Sequence, residues 1–203
     1  FVTILENVYS LIGGFILSQT PSRGVLKFLY LIIIILLTGM FYYAEYIDTS
    51  DPEKVIADFY SSYFTGDYQA TANNLSVFWS VNYLPQYATE EPVNLVAKRE
   101  TIVKETAELI KEMDAGNPMP DNLSIKVLPD YTRTMPNSAV VVYSFLEDGK
   151  EVGKSVSILI MEDRQYRILS WQPIPDEALE TVKDIDLEAL DKNFRDLMAA
   201  KTE

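Results

Sequence analysis

"SAVVVYSFLEDGKEVGKSVSILIMEDRQYRILSWQPI", residues 138–174, decides the fold. Apolar and polar residues alternate over 138–147, 150–162 and 165–174. Strands require this pattern, because successive side chains leave a strand on opposite faces. "EDGK" at 147–150 and "EDRQ" at 162–165 are short hairpin signals between them. One step upstream, "LSIKVLPDYT" (123–132) is a fourth strand candidate, joined to the others by "RTMPN" (133–137).

Before residue 117 the period becomes helical. "TSDPEKV" (49–55) is a helix start: Ser50 or Asp51 can cap, Pro52 suits the first helical position, and Glu53 stands three residues after Ser50. Val55, Ile56, Phe59, Tyr60 and Tyr63 follow at helical spacing, and Gly66 ends the run. "GDYQATANNLS" (66–76) starts a second short helix. "NLVAKRETIVKETAELIKEMDAG" (94–116) predicts a third, apolar at Ile102, Val103, Ala107, Leu109, Ile110 and Met113. Helices followed by consecutive strands predict an α+β domain over 51–174, with three helices packed on a curved four-stranded antiparallel sheet.

Residues 51–76 and 143–171 together resemble the nuclear transport factor two-like (cystatin-like) superfamily. The resemblance rests on Pro52, Val55, Phe59-Tyr60 and Gly66-Asp67-Tyr68 leading into a sheet whose last strand carries Trp171. It spans 51–174 and implies a cone-shaped sheet around a pocket. The lining candidates are Tyr60, Tyr63, Phe78, Trp79, Tyr83, Tyr143, Phe145 and Trp171, which either fill the cone as core or border an open cavity. One anchor plus one such domain is also similar in architecture to the inner-membrane scaffold subunit of type IV secretion machines.

An anchor is read directly from the residues. Phe28–Ala44 is free of charge, and with Val25, Leu26 and a snorkelling Lys27 the span 25–46 predicts a transmembrane helix. Tyr30 on one side and Tyr42, Tyr43 and Tyr46 on the other suit the two interfaces. Arg23 and Lys27 precede the run, whereas Glu45, Asp48, Asp51 and Glu53 follow it. The N-terminal side is therefore expected in the cytoplasm and the domain outside it, periplasmic or extracellular. Residues 20–24 are expected as a turn. Residues 1–19 form an amphipathic pattern that either lies in the interface or spans the membrane. Ser10, Gly13, Gly14 and Ser18 make a stripe for close helix packing, with Gly39 the small residue of the transmembrane helix.

Composition narrows the chemistry. The 203 residues carry 17 Lys and Arg against 30 Asp and Glu, a net charge of −13, which argues against nucleic-acid binding. With no Cys and no His, thiol catalysis, disulfides and the commonest general base and metal ligand are excluded. "DAGNPMPD" (114–121) and "KDIDLEALD" (183–191) lack calcium-loop spacing. Glu147, Asp148, Glu162 and Asp163 fall in turns and read as solvated loop charges. No catalytic residue, cofactor or metal site is expected. Residues 175–203 form a tail whose Leu187, Leu190, Phe194 and Leu197 make a helical stripe, with Asp186 as cap. This helix either folds back on its own domain or docks a partner chain.

The reading that follows is a non-catalytic, membrane-anchored accessory or scaffold subunit of a larger membrane hetero-complex, in contact with the bilayer and other membrane-protein subunits. The alternative is a small-ligand-binding or lyase- or isomerase-like domain that uses the cone.

Overall fold

The alternation of residues 138–174 builds the centre of an antiparallel sheet in the computed structural model, which describes residues 23–42, 51–116 and 122–199. The chain divides into two units, Phe1–Asp48 and Thr49–Glu203.

In the first unit, helix α1 runs Arg23–Tyr42 and is 20 residues long. It begins inside the stretch expected as a turn: Arg23 and Gly24 are helical, and one Gly at a helix end costs only about 1 kcal/mol of propensity. Side chains are described for Leu29–Met40, all exposed. That stretch is too short alone, and no described helix is long and apolar enough to cross a membrane. A Cβ added at Gly39 would meet nothing within 4 Å. Ser10, Gly13, Gly14 and Ser18 lie outside the described residues.

The second unit is α+β. Helix α2 (Pro52–Phe64) starts as anticipated, with the Asp51 side chain accepting a bond from the Glu53 N–H at 2.9 Å. Gly66 ends the segment in the left-handed region, φ +72°. Helix α3 (Tyr68–Asn73) is followed by a short α4 (Val77–Ser80), which the sequence reading missed. The single long helix anticipated over 94–116 is two: α5 (Pro92–Ala97) and α6 (Arg99–Asp114), separated at Lys98, whose ψ of 9° departs from helical geometry. Five α-helices of this unit, not three, thus precede the sheet among the described residues.

The sheet has five strands: β1 (Leu123–Val127), β2 (Arg133–Met135), β3 (Ser138–Glu147), β4 (Lys150–Glu162) and β5 (Gln165–Ile174). The spatial order is β1-β3-β4-β5, and β2 pairs with the other end of β3 on the same side as β1. "RTMPN", expected only to connect, therefore contributes a strand. Both hairpin signals form turns with two consecutive positive φ angles: Asp148 and Gly149 in one, Asp163 and Arg164 in the other. That geometry matches the right-handed twist of paired strands. Two register shifts, at Phe145/Leu146 and Ile158/Leu159, bend the sheet, as bulges do.

Strand β3 is buried from Ser138 to Ser144, so both of its faces are covered. One face sends Ala139, Val141 and Tyr143 into a core with Val55, Ile56, Phe59 and Tyr60 of α2, Leu75, and Val103, Ala107 and Ile110 of α6. The other sends Val140 and Val142 against Val182 and Leu187 of the tail. The tail forms a 3-10 stretch (Asp176–Asp184) and helix α7 (Leu187–Ala199), whose start is capped by Asp186 accepting from the Ala189 N–H at 2.9 Å. Leu187 and Phe194 are buried, and Leu190 packs partly on the same cluster. The stripe considered for partner docking is largely used within the chain's own unit, with Leu197 still exposed.

Candidate ligand cavity

Register explains why a space exists on the helix-covered face. Opposite residues on neighbouring strands share a face, which sets Tyr143 of β3, Ser155 of β4 and Pro173 of β5 in one row. The next row holds Val141, Ser157 and Trp171, and the row at the other end pairs Phe145 with Gly153. Over these three rows β4 therefore offers only Gly153, Ser155 and Ser157 beneath the helices, before Leu159 and Met161 rejoin the core. A Cβ added at Gly153 would meet nothing within 4 Å. The large rings around these small residues cannot reach in to fill the gap.

The result is an open cavity of about 430 Å³. Its walls are Phe59, Tyr60 and Tyr63 from α2, Thr71 and Leu75 from and after α3, and Trp79 from α4. Ile110 and Met113 of α6 and Phe145, Ser155, Trp171 and Pro173 of the sheet complete them. None of these residues carries a charged side chain. Trp79 and Trp171 stack at 5.4 Å with an interplanar angle of 26°, and Tyr83 lies 4.8 Å from Trp79. Met113, Tyr83 and Trp171 are exposed, Trp171 at 38%, so apolar side chains are presented to solvent at and beside the cavity.

Of the eight lining candidates read from the sequence, Tyr60, Tyr63, Trp79, Phe145 and Trp171 do line the cavity. Tyr143 is fully buried behind it. Tyr83 stands outside against Trp79. Phe78 is corrected: one residue along a helix turns a side chain by about 100°, so it leaves α4 away from Trp79. It packs instead edge-on to Phe194 at 5.9 Å. Phe59, Thr71, Leu75, Ile110, Met113, Ser155 and Pro173 were not anticipated; the alternation Gly153-x-Ser155-x-Ser157 was the available signal.

The polar groups of the cavity are hydroxyls. Tyr60 and Tyr143 share a hydrogen bond of 2.8 Å, and the Ser157 hydroxyl donates to Tyr143 at 3.2 Å. Burial pushes both phenols above the ordinary tyrosine range, so they are neutral at physiological pH. Beside the opening Tyr63 and Tyr68 donate to the two oxygens of Asp114, at 3.2 and 2.6 Å.

The buried carboxylate lies elsewhere, and the sequence reading of Glu162 is overturned. Rather than a solvated loop charge, it is 2% exposed. It accepts from the Ser76 hydroxyl at 2.5 Å, the Val77 N–H at 3.3 Å and Arg99 at 2.6 Å. Arg99 continues to the carbonyls of Asn73 and Leu75, at 2.7 and 3.1 Å. Burial raises the Glu162 carboxyl above its usual range and lowers Arg99 and Arg167. This cluster fixes the start of α4, and hence the position of Trp79, to the end of β4. Among the described residues no three His, Cys, Asp or Glu side chains converge to hold a metal. Compared with protein-family models, curated proteins and solved structures, the chain matches none.

Proposed function

We propose that the chain is a membrane-anchored, non-catalytic accessory subunit whose outer domain recognises an apolar ligand or partner group in the aromatic cavity. The observation that carries this reading is the open space of about 430 Å³ walled without a single charged side chain. That size and lining suit recognition of a small apolar body. Proton-transfer chemistry of the lyase or isomerase type needs a base within reach of the substrate, and the cavity wall supplies no carboxylate. The anchor rests on the uncharged run Phe28–Ala44 and the orientation on the charges flanking it. Other subunits of a hetero-complex remain the partners proposed for the membrane segment.

The chain's only two tryptophans, Trp79 and Trp171, both border the cavity, which makes occupancy observable. The neutral fluorophore N-phenyl-1-naphthylamine, titrated into the full chain in lipid nanodiscs, should show saturable energy transfer from these two rings. Ser155→Phe, which fills the cone from its floor, should abolish it. Non-saturable transfer, or the same curve in the filled variant, refutes the reading.

A further inference from the structure

Resting on the cavity as the binding site, we infer that its ligand is an uncharged molecule with an apolar body and one hydrogen-bond acceptor, such as a ketone, that reaches the Tyr60 hydroxyl. Three hydroxyls, Ser157, Tyr143 and Tyr60, share two hydrogen bonds, and each bond uses one proton. One proton is left over. Ser157 and Tyr143 are fully buried, whereas Tyr60 lines the cavity. If Tyr60 donated inward, Tyr143 would have to place its own proton in an enclosed site, and an unmet buried donor is costly. With the Ser157 proton on the Tyr143 oxygen and the Tyr143 proton on Tyr60, every enclosed group is satisfied. The surplus O–H then belongs to Tyr60, at the cavity surface.

Charge sets the rest of the specificity. An anionic head would lose its hydration with no cation in the wall to replace it, and a cation would lose its own with no carboxylate there. A hydrocarbon fits but leaves the Tyr60 proton unmet. A carbonyl or ether oxygen on an apolar frame satisfies both the wall and the donor.

Four probes of similar size separate these cases: acetophenone, ethylbenzene, benzoate and benzylammonium. Each is used to displace N-phenyl-1-naphthylamine from the full chain in nanodiscs, with the probe excited directly and Ser155→Phe discs as the lipid background. Acetophenone should displace at about fivefold to tenfold lower concentration than ethylbenzene, the worth of one hydrogen bond. Both ions should be weaker than ethylbenzene. Tyr60→Phe should remove the ketone's advantage and leave ethylbenzene unchanged. Ser157→Ala removes a donor to Tyr143 but gives the enclosed Tyr143 proton no new acceptor, so the ketone should keep its advantage there; this variant serves where Tyr60→Phe disturbs ethylbenzene binding. Equal displacement by ketone and hydrocarbon, an advantage retained in Tyr60→Phe or lost in Ser157→Ala, or tighter binding of either ion overturns the inference while the cavity remains the site. Absence of any saturable probe binding refutes the cavity itself.

Discussion

The two faces of strand β3 are built from alternate residues of one ten-residue segment, yet they end differently. The face carrying Val140, Val142 and Val156 is covered by Val182 and Leu187 of the tail, which leaves a pocket of only about 110 Å³ beside Val156 and Ile158. The face carrying Val141, Tyr143 and Phe145 keeps an opening. Branched aliphatic side chains of similar size interdigitate and leave little space. Rings set around Gly153, Ser155 and Ser157 do not, because their planes cannot bend into the gap. A closed face stabilises; an open one is free to bind. The comparison therefore divides stability from recognition within a single sheet.

The largest expected effect tests the sealed face. Removal of residues 175–203 exposes Val140, Val142 and Val156 together, and the cooperative thermal transition seen by circular dichroism should disappear. A domain that still melts cooperatively without the tail would break the comparison. Within the intact tail, Leu187→Ala should cost about 2–5 kcal/mol in urea denaturation, as for other fully buried leucines.

The junction between the cavity wall and the sheet comes next. Glu162→Ala leaves Arg99 buried without its partner and should cost about 3–5 kcal/mol. Because Ser76 and Val77 lose their acceptor as well, Trp79 should shift, and the two-tryptophan emission spectrum should move with it. An unchanged spectrum would show that the Glu162 cluster does not position the wall.

Changes on the open face should be milder. Ser155→Phe enters existing space, so its effect on stability should stay within about 1.5 kcal/mol while ligand binding is lost. A cost of several kcal/mol would mean that the space is not available to a side chain.

The smallest effect is a pH dependence. Burial raises the Glu162 carboxyl in the folded state above its ordinary value near 4.5, against the opposing pull of Ser76 and Arg99. The folded protein therefore takes up this proton at a higher pH than the unfolded chain. The associated stabilisation is fully present below the unfolded pKa and is lost as pH rises through the folded one. Between pH 7 and 4.5 the urea midpoint of the wild type should gain on that of Glu162→Gln. A wild type that instead loses ground to the variant on acidification would reverse the assigned direction.

Elements with a local cause were legible in the residues alone. Period-two alternation named β3, β4 and β5, and the paired turn residues placed both hairpins. Asp51-Pro52 fixed the start of α2, and the charge-free run fixed where an apolar helix lies. Tyr60, Tyr63, Trp79, Phe145 and Trp171 were named as candidates through the cone that the family resemblance implies, not through a local pattern of their own. Whether that cone is full was settled by the packing of distant segments. The answer depends on which residues of β4 stand opposite those rings, and a register is a relation between strands, absent from either strand alone. Glu162 was misread for the same reason. A carboxylate at a hairpin is solvated by default, and its burial here follows from Ser76, Val77 and Arg99, which are 63 to 86 residues away along the chain.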